Sequence, residues 1–202
     1  MIKETGGFGD SAIVTLNTSA ISAEDVGIHG HYHALCWDEN GNLKWEEKFP
    51  NLVNAIGKQL MLDTLLRTSG TYTTVGPFLG LIATTSPTFA ASDTMTSHSG
   101  WTEFINYTVG GSAVRGTAVF SASTSSGTTP SNITTATAAA ITYTITGAGG
   151  NVTGCFLTTG TGAVNTQSST AGTLYSAGAF ATAKAVTAGD TVAVTYSTTA
   201  TS

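Results

Sequence analysis

Beyond Gly70 the chain is a succession of short Thr- and Val-rich runs, each broken within a few residues by Gly, Pro, Asn or Asp. β-Branched residues fit a pleated surface and the breakers supply turns, so this half of the chain reads as strands joined by turns. The runs are 73–84, 102–109, 114–121, 140–146, 152–159, 173–186 and 191–197. Ile141, Tyr143 and Ile145, and again Val192, Val194 and Tyr196, recur at every second position. That period marks strands with one buried face and one Thr-lined face. Strands at this spacing predict a mainly β fold, an antiparallel β-sandwich of jelly-roll-like character, over residues 71–202. The stretch 122–139 is Ser-, Thr- and Ala-rich and short of apolar anchors, and reads as a long surface loop. Gly149, Gly150, Gly160 and Gly162 fall between strands, with no Lys-Ser/Thr or helix after them, and read as turn glycines rather than a phosphate cradle.

Charge is scarce and uneven. Charged residues make up 9% of the chain, against roughly a quarter in ordinary globular domains. Fourteen of the nineteen lie in residues 1–70, and residues 71–202 keep Asp93, Glu103, Arg115, Lys184 and Asp190. The formal net charge is −5 with no basic cluster, which argues against a nucleic-acid groove or an anionic membrane surface as partner. No apolar run approaches the roughly 18 to 20 residues of a spanning helix. The first residues, MIKETGGFGD, carry no apolar stretch behind Lys3, so no secretory signal is expected and synthesis is expected in a cytoplasm. Cys36 and Cys155 are too few and too far apart for a disulfide framework or a zinc site, and are expected to be buried free thiols.

The charge-bearing half divides again. Residues 1–27 show no sustained apolar period and read as an N-terminal arm that orders against a partner. Residues 28–70 read as a hairpin followed by a helix, packed on the β domain. Asn40-Gly41 predicts a two-residue type I′ turn, in which both central residues need positive φ. Glu39 then faces Asn42, Trp37 faces Lys44 and Cys36 faces Trp45, which puts the two tryptophans on opposite faces. After Pro50, Asn51 is the expected N-cap of a helix over Leu52–Arg67, with apolar residues on more than one side. Gly57 inside it costs up to about 1 kcal/mol relative to Ala, a cost that close packing at that turn would explain.

Three constellations could carry chemistry. His29, His31 and His33 share one strand face at spacings of about 6.5 to 7 Å. Neighbouring pairs could share a metal, and a trimer could supply them around an axis, but a mononuclear site needs three or four ligands and no acidic or Cys residue completes the set. They read as ordinary face residues. Ser97-His98 juxtaposes a hydroxyl and an imidazole with no nucleophile elbow around them, and reads as a turn. Glu46 and Glu47, adjacent on a strand, must point to opposite faces, the wrong arrangement for a glycosidase pair. No catalytic, cofactor-binding or metal residue is expected, and the chain reads as a non-enzyme.

Several stretches carry a resemblance. They are Trp37-Asp-Glu-Asn-Gly-Asn-Leu-Lys-Trp45-Glu46-Glu47, Asn51-Leu52-Val53, Gly57-Lys58 and Gly80-Leu81-Ile82. Asp93-Thr94-Met95, Ser97 through Glu103, Leu174 through Phe180 and Gly189 through Val192 follow in order. Together they resemble small virion structural proteins of tailed bacteriophages over most of 37–104 and 172–196. The resemblance implies a non-enzymatic capsid cement or decoration protein on the capsid surface, made in the bacterial host cytoplasm. Its implied partners are the major capsid protein and further copies of itself as a symmetric dimer or trimer, with no cofactor, nucleic acid or membrane. A tail fibre or receptor-binding component is the alternative, and a virion-associated hydrolase, which would need Glu46, Glu103 or His98, a distant third.

Overall fold

The computed structural model describes residues 27–67, 75–123, 131–133 and 140–201. Apart from Gly27, the expected N-terminal arm lies outside the described residues. Among them are eleven strands and one helix. The strands are β1 (Gly27–Trp37), β2 (Leu43–Val53), β3 (Phe78–Ile82), β4 (Glu103–Phe104), β5 (Tyr107–Thr108), β6 (Gly116–Thr117), β7 (Ser131–Ile133), β8 (Ile141–Ile145), β9 (Gly150–Thr159), β10 (Thr173–Val186) and β11 (Thr191–Thr201). The helix, α1, spans Ala55–Leu66. Most of 122–139 also lies outside the described residues, but within it β7 pairs with β11, so the expected loop contains a strand.

The strands form one antiparallel sheet in the order β4-β3-β9-β10-β2-β1-β11-β8-β5, with β6 beside β3 and β7 beside β11. A sandwich would separate them into two facing sheets. Here β2 belongs to both halves, pairing with β1 from Leu43 to Asn51 and with β10 through Leu52 and Val53, so the sheet turns its corner within one strand. The two ends of the path, β4 and β5, are consecutive in the chain and joined by Ile105 and Asn106 alone. That short link draws the edges together into a nearly closed barrel. Tyr143 on β8 donates its hydroxyl to the Leu79 carbonyl on β3 across the interior, at 2.7 Å. At Gly116 on β6 an added Cβ would lie 2.0 Å from Ile141 on β8, so a glycine is what allows that approach.

Alternation fills the barrel as expected. Ile141, Tyr143, Ile145, Val192, Val194 and Tyr196 point inward to Tyr32, Cys36, Phe49, Leu79 and Leu157, while Thr142 and Thr144 face out. Burial at such sites contributes roughly 1.5–3 kcal/mol per large side chain. The phenols of Tyr32 and Tyr143 are raised well above their ordinary pKa by burial, and Tyr32 shares a 2.9 Å hydrogen bond with the Ser176 hydroxyl. Cys36 and Cys155 are free and fully buried, as expected. Burial, with the nearby Asp190 charge, pushes the Cys36 thiol up to about 11, and burial raises Cys155 as well.

Two details of the charged half differ from the sequence reading. Cys36 does face Trp45, but Trp37 faces Leu43 instead of Lys44 because the register shifts there. The turn is the reason. Gly41 has positive φ and Asn40 does not, while the Asp38 carbonyl accepts from Gly41 N–H and Asp38 N–H donates to Asn42. The loop is therefore a turn with one left-handed glycine, which accommodates an extra residue in the ladder. Asp38 ties it together through Asn40 and Asn42. Those donors, the Asn42 side chain foremost, hold its carboxyl below the usual range. Second, Asn51, Leu52 and Val53 belong to β2, and the helix begins only after Asn54. Pairing with β10 overrides the helical spacing there.

Among the described residues, a crossover and the helix lie on the outside of the barrel. The crossover 83–102 covers the outer face of β3, β9 and β10, where Met95 and Trp101 pack on Ile82, Phe156, Leu174 and Ala177. Helix α1 rests on Tyr175 at one end of the barrel. At Gly57 a Cβ would sit 2.7 Å from the Tyr175 carbonyl oxygen, so the close packing expected at this glycine is present. Asn54 does not cap the helix with its side chain. It donates instead to the Ala90 carbonyl of the crossover.

Candidate functional site

Helix α1 was expected to bury more than one side, and it does not. Its apolar residues run round the helix, but the barrel covers one narrow strip, leaving Leu62 60%, Leu65 80% and Leu66 69% exposed. Between α1 and the barrel end lies an open groove of about 460 Å³, lined chiefly by Leu60, Met61, Leu65, Phe120, Tyr175 and Tyr196. The Tyr175 hydroxyl donates to the Met61 sulfur at 3.3 Å. Isolated exposed leucines are ordinary, but three within five residues beside an apolar groove form a contiguous patch, the kind of surface that marks a contact site.

A second concavity, of about 230 Å³, opens on the outer wall of β9. Phe156 and Leu157, adjacent on that strand, face its two sides: Leu157 the groove beneath α1, Phe156 the outer pocket. Arg115, 1% exposed, pairs there with Glu103, 7% exposed. Its Nε donates to Glu103 Oε1 at 3.0 Å and its Nη2 to Oε2 at 2.7 Å, a two-pronged geometry that a guanidinium suits. Ser168 N–H also donates to Oε2 at 2.8 Å, from a backbone at φ 60°. His98 lies flat on Trp101, ring centres 3.8 Å apart. Its Nδ1 faces the Trp101 carbonyl at 3.1 Å and so carries the proton there.

The residues singled out from sequence are not brought together. His29 and His31 stand exposed on the outer face of β1, and His33 Nε2 meets Glu46 Oε1 at 2.8 Å. Among the described residues no three His, Cys, Asp or Glu side chains form a group able to hold a metal. Glu46 and Glu47 diverge as expected, Glu46 to His33 and Glu47 to Lys184 and the Ala181 N–H. Ser97 sits in a turn closed by backbone bonds to Thr94, as expected, with His98 turned to Trp101.

Arg115 and Trp101 escaped the sequence reading as site residues. A signal was present. Each of the five charges beyond residue 70 is engaged: Asp93 with Ala90 N–H, Glu103 with Arg115, Lys184 with Glu47 and Asp190 with Lys44. In a region so poor in charge, a retained charge has a structural partner.

Asp190 is the clearest electrostatic case. Burial alone raises its carboxyl, but Lys44 Nζ at 2.5 Å and the Thr187 N–H outweigh that and hold it below its ordinary pKa. The same contact raises Lys44.

No protein-family model, curated protein or solved structure matches this chain. No helix of the described residues is long and apolar enough to cross a membrane.

Proposed function

We propose that the protein is a non-catalytic structural component of a bacteriophage particle, a cement or decoration protein that binds the major capsid protein and strengthens the shell. The observation that carries this reading is the exposed face of α1, where Leu62, Leu65 and Leu66 lie in solvent beside an apolar groove. Water makes such a surface unfavourable in an isolated chain, at roughly 25 cal/mol per Å², and a large protein surface laid over it removes the cost. The virion assignment comes from the resemblance of residues 37–104 and 172–196 to phage structural proteins. In this reading α1 and the hairpin meet the shell, and the charge-poor barrel wall, with Thr142 and Thr144 exposed on β8, meets further copies as a dimer or trimer. Sparse charge favours such contacts, because Lys and Glu are depleted at interface centres.

Purified protein mixed with heads lacking it should cosediment with them, and the Leu62→Ser, Leu65→Ser, Leu66→Ser triple variant should stay in the supernatant while melting like the wild type. Wild-type protein that binds tails instead of heads sinks the cement reading in favour of the tail component. Protein that binds neither removes the virion assignment altogether.

A further inference from the structure

We propose that Asn40, at the tip of the β1–β2 hairpin, is a site of spontaneous covalent modification, converting in the folded protein to aspartate and isoaspartate. The proposal does not rest on the contact surface drawn on α1. The chain has nine asparagines and a single Asn-Gly, at Asn40-Gly41; each of the other eight is followed by a residue with a side chain. Glycine has no Cβ to hinder the approach of its own backbone nitrogen to a neighbouring group. Both residues are exposed, and Gly41 holds a left-handed φ of 83° in the loop between the strands. The Asn40 backbone N–H donates to Asp38 Oδ1 at 2.9 Å, while its side-chain amide makes no hydrogen bond to any described residue. By contrast, the side-chain amides of Asn42, Asn51, Asn54 and Asn106 donate to Asp38, Tyr196, Ala90 and Gly149.

The bonding fixes the chemistry. The Gly41 nitrogen loses its proton to water and forms a bond to Asn40 Cγ, closing a five-membered ring. The bond from Cγ to the side-chain nitrogen breaks, and that nitrogen takes up a proton from water and leaves as ammonia. The cyclic imide then adds water. Opening between Cγ and nitrogen gives aspartate; opening between the Asn40 backbone carbonyl carbon and nitrogen gives isoaspartate, with the chain routed through Cβ and Cγ. One water is consumed and one ammonia released, with no oxidant or reductant. A single contact opposes the attack: Gly41 N–H donates to the Asp38 carbonyl at 3.0 Å and must open first. One exposed hydrogen bond of this kind is worth a factor of roughly ten or less, so the turn slows the reaction without preventing it. The two products act differently on the loop. Aspartate adds a negative charge close to Asp38 and Glu39, whereas isoaspartate lengthens the loop by one backbone carbon. With that carbon inserted, the bonds from Gly41 N–H to Asp38 and from Asp38 N–H to Asn42, which close the loop, no longer fit together.

The test ages the full-length folded protein in mildly alkaline buffer at physiological temperature. Peptides cut in mild acid, which prevents conversion during digestion, are read by mass spectrometry with fragmentation that separates isoaspartate from aspartate. Asn40 should convert first, by about tenfold or more over Asn42, Asn106 and Asn165, whose following residues carry side chains. Its rate should rise with pH, because the attacking nitrogen must lose a proton. Asn40→Gln, which requires a larger ring, should abolish the change at this position with the melting temperature unaltered. Conversion at Asn40 no faster than at Asn42, or seen only once the protein is unfolded in urea, overturns the proposal. Amide hydrogen exchange at Asp38 and Gly41 should quicken in the isoaspartyl fraction, and exchange as slow as in fresh protein refutes the loosening of the loop.

Discussion

The crossover 83–102 and helix α1 both lie on the outside of the same barrel, and they differ in what they leave uncovered. The crossover puts Met95 and Trp101 at 2% exposure and ties its two arms to each other, Ala83 N–H to the Thr102 carbonyl and Thr88 N–H to the Gly100 carbonyl. Gly100 is where this fits: a Cβ there would lie 2.2 Å from the Thr88 carbonyl oxygen. Helix α1 touches the barrel over a strip centred on Gly57 and keeps its leucines in water. Apolar side chains are therefore buried within the fold in the first segment and left exposed to solvent in the second. One mean hydropathy value for the chain would not separate the two.

The contrast can be broken by substitution. The largest effect is expected at Trp101→Ala, which should cost about 3–5 kcal/mol in urea-induced unfolding, as for other large aromatic deletions in cores. A loss under about 1 kcal/mol would mean that the crossover is no more integral than α1. Gly57→Val comes next. Its side chain must enter the space held by the Tyr175 backbone, and overpacking of this kind costs about 1–3 kcal/mol. Loss of shell binding in this variant, with the barrel's near-ultraviolet circular dichroism intact, would show that α1 must be seated to act.

A smaller effect is expected from acid. Because the folded carboxyl of Asp190 titrates below its unfolded value, near 3.9, its pairing with Lys44 contributes stability that is full above that value and is lost as pH falls through the lower, folded pKa. Asp190→Asn should therefore be destabilised relative to wild type at neutral pH and converge with it in strong acid. A constant difference across the range would assign the loss to packing instead of charge. The smallest stability change is expected at Leu65→Ser with Leu66→Ser, within about 0.5 kcal/mol as for surface positions, even as assembly is lost. Destabilisation by several kcal/mol would return these leucines to the core and remove the contrast.

Much of the barrel was readable from local pattern. The alternation at 141–145 and 191–197 is a strand's own property, whereas the expected pairing of Cys36 with Trp45 is reached only through a register shift beside Trp37 and not through the two-residue turn. The end of β2 was not readable, because Asn51-Leu52-Val53 carries helical spacing and becomes strand only by meeting Ser176 and Ala177 of β10. Nor was the outer pocket. Glu103 and Arg115 belong to separate short strands or turns, and Ser168 comes from a loop more than fifty residues further on.

The amino-acid sequence by itself determined which segments extend, where they turn and which face of each avoids water, since side-chain alternation and turn chemistry act over a few residues. The tertiary structure decided that the sheet closes on itself, that the leucines of α1 face outward and that Arg115 finds Glu103. Those outcomes depend on contacts between residues distant in the chain, where the free energy of a position is set by whichever surface arrives opposite it.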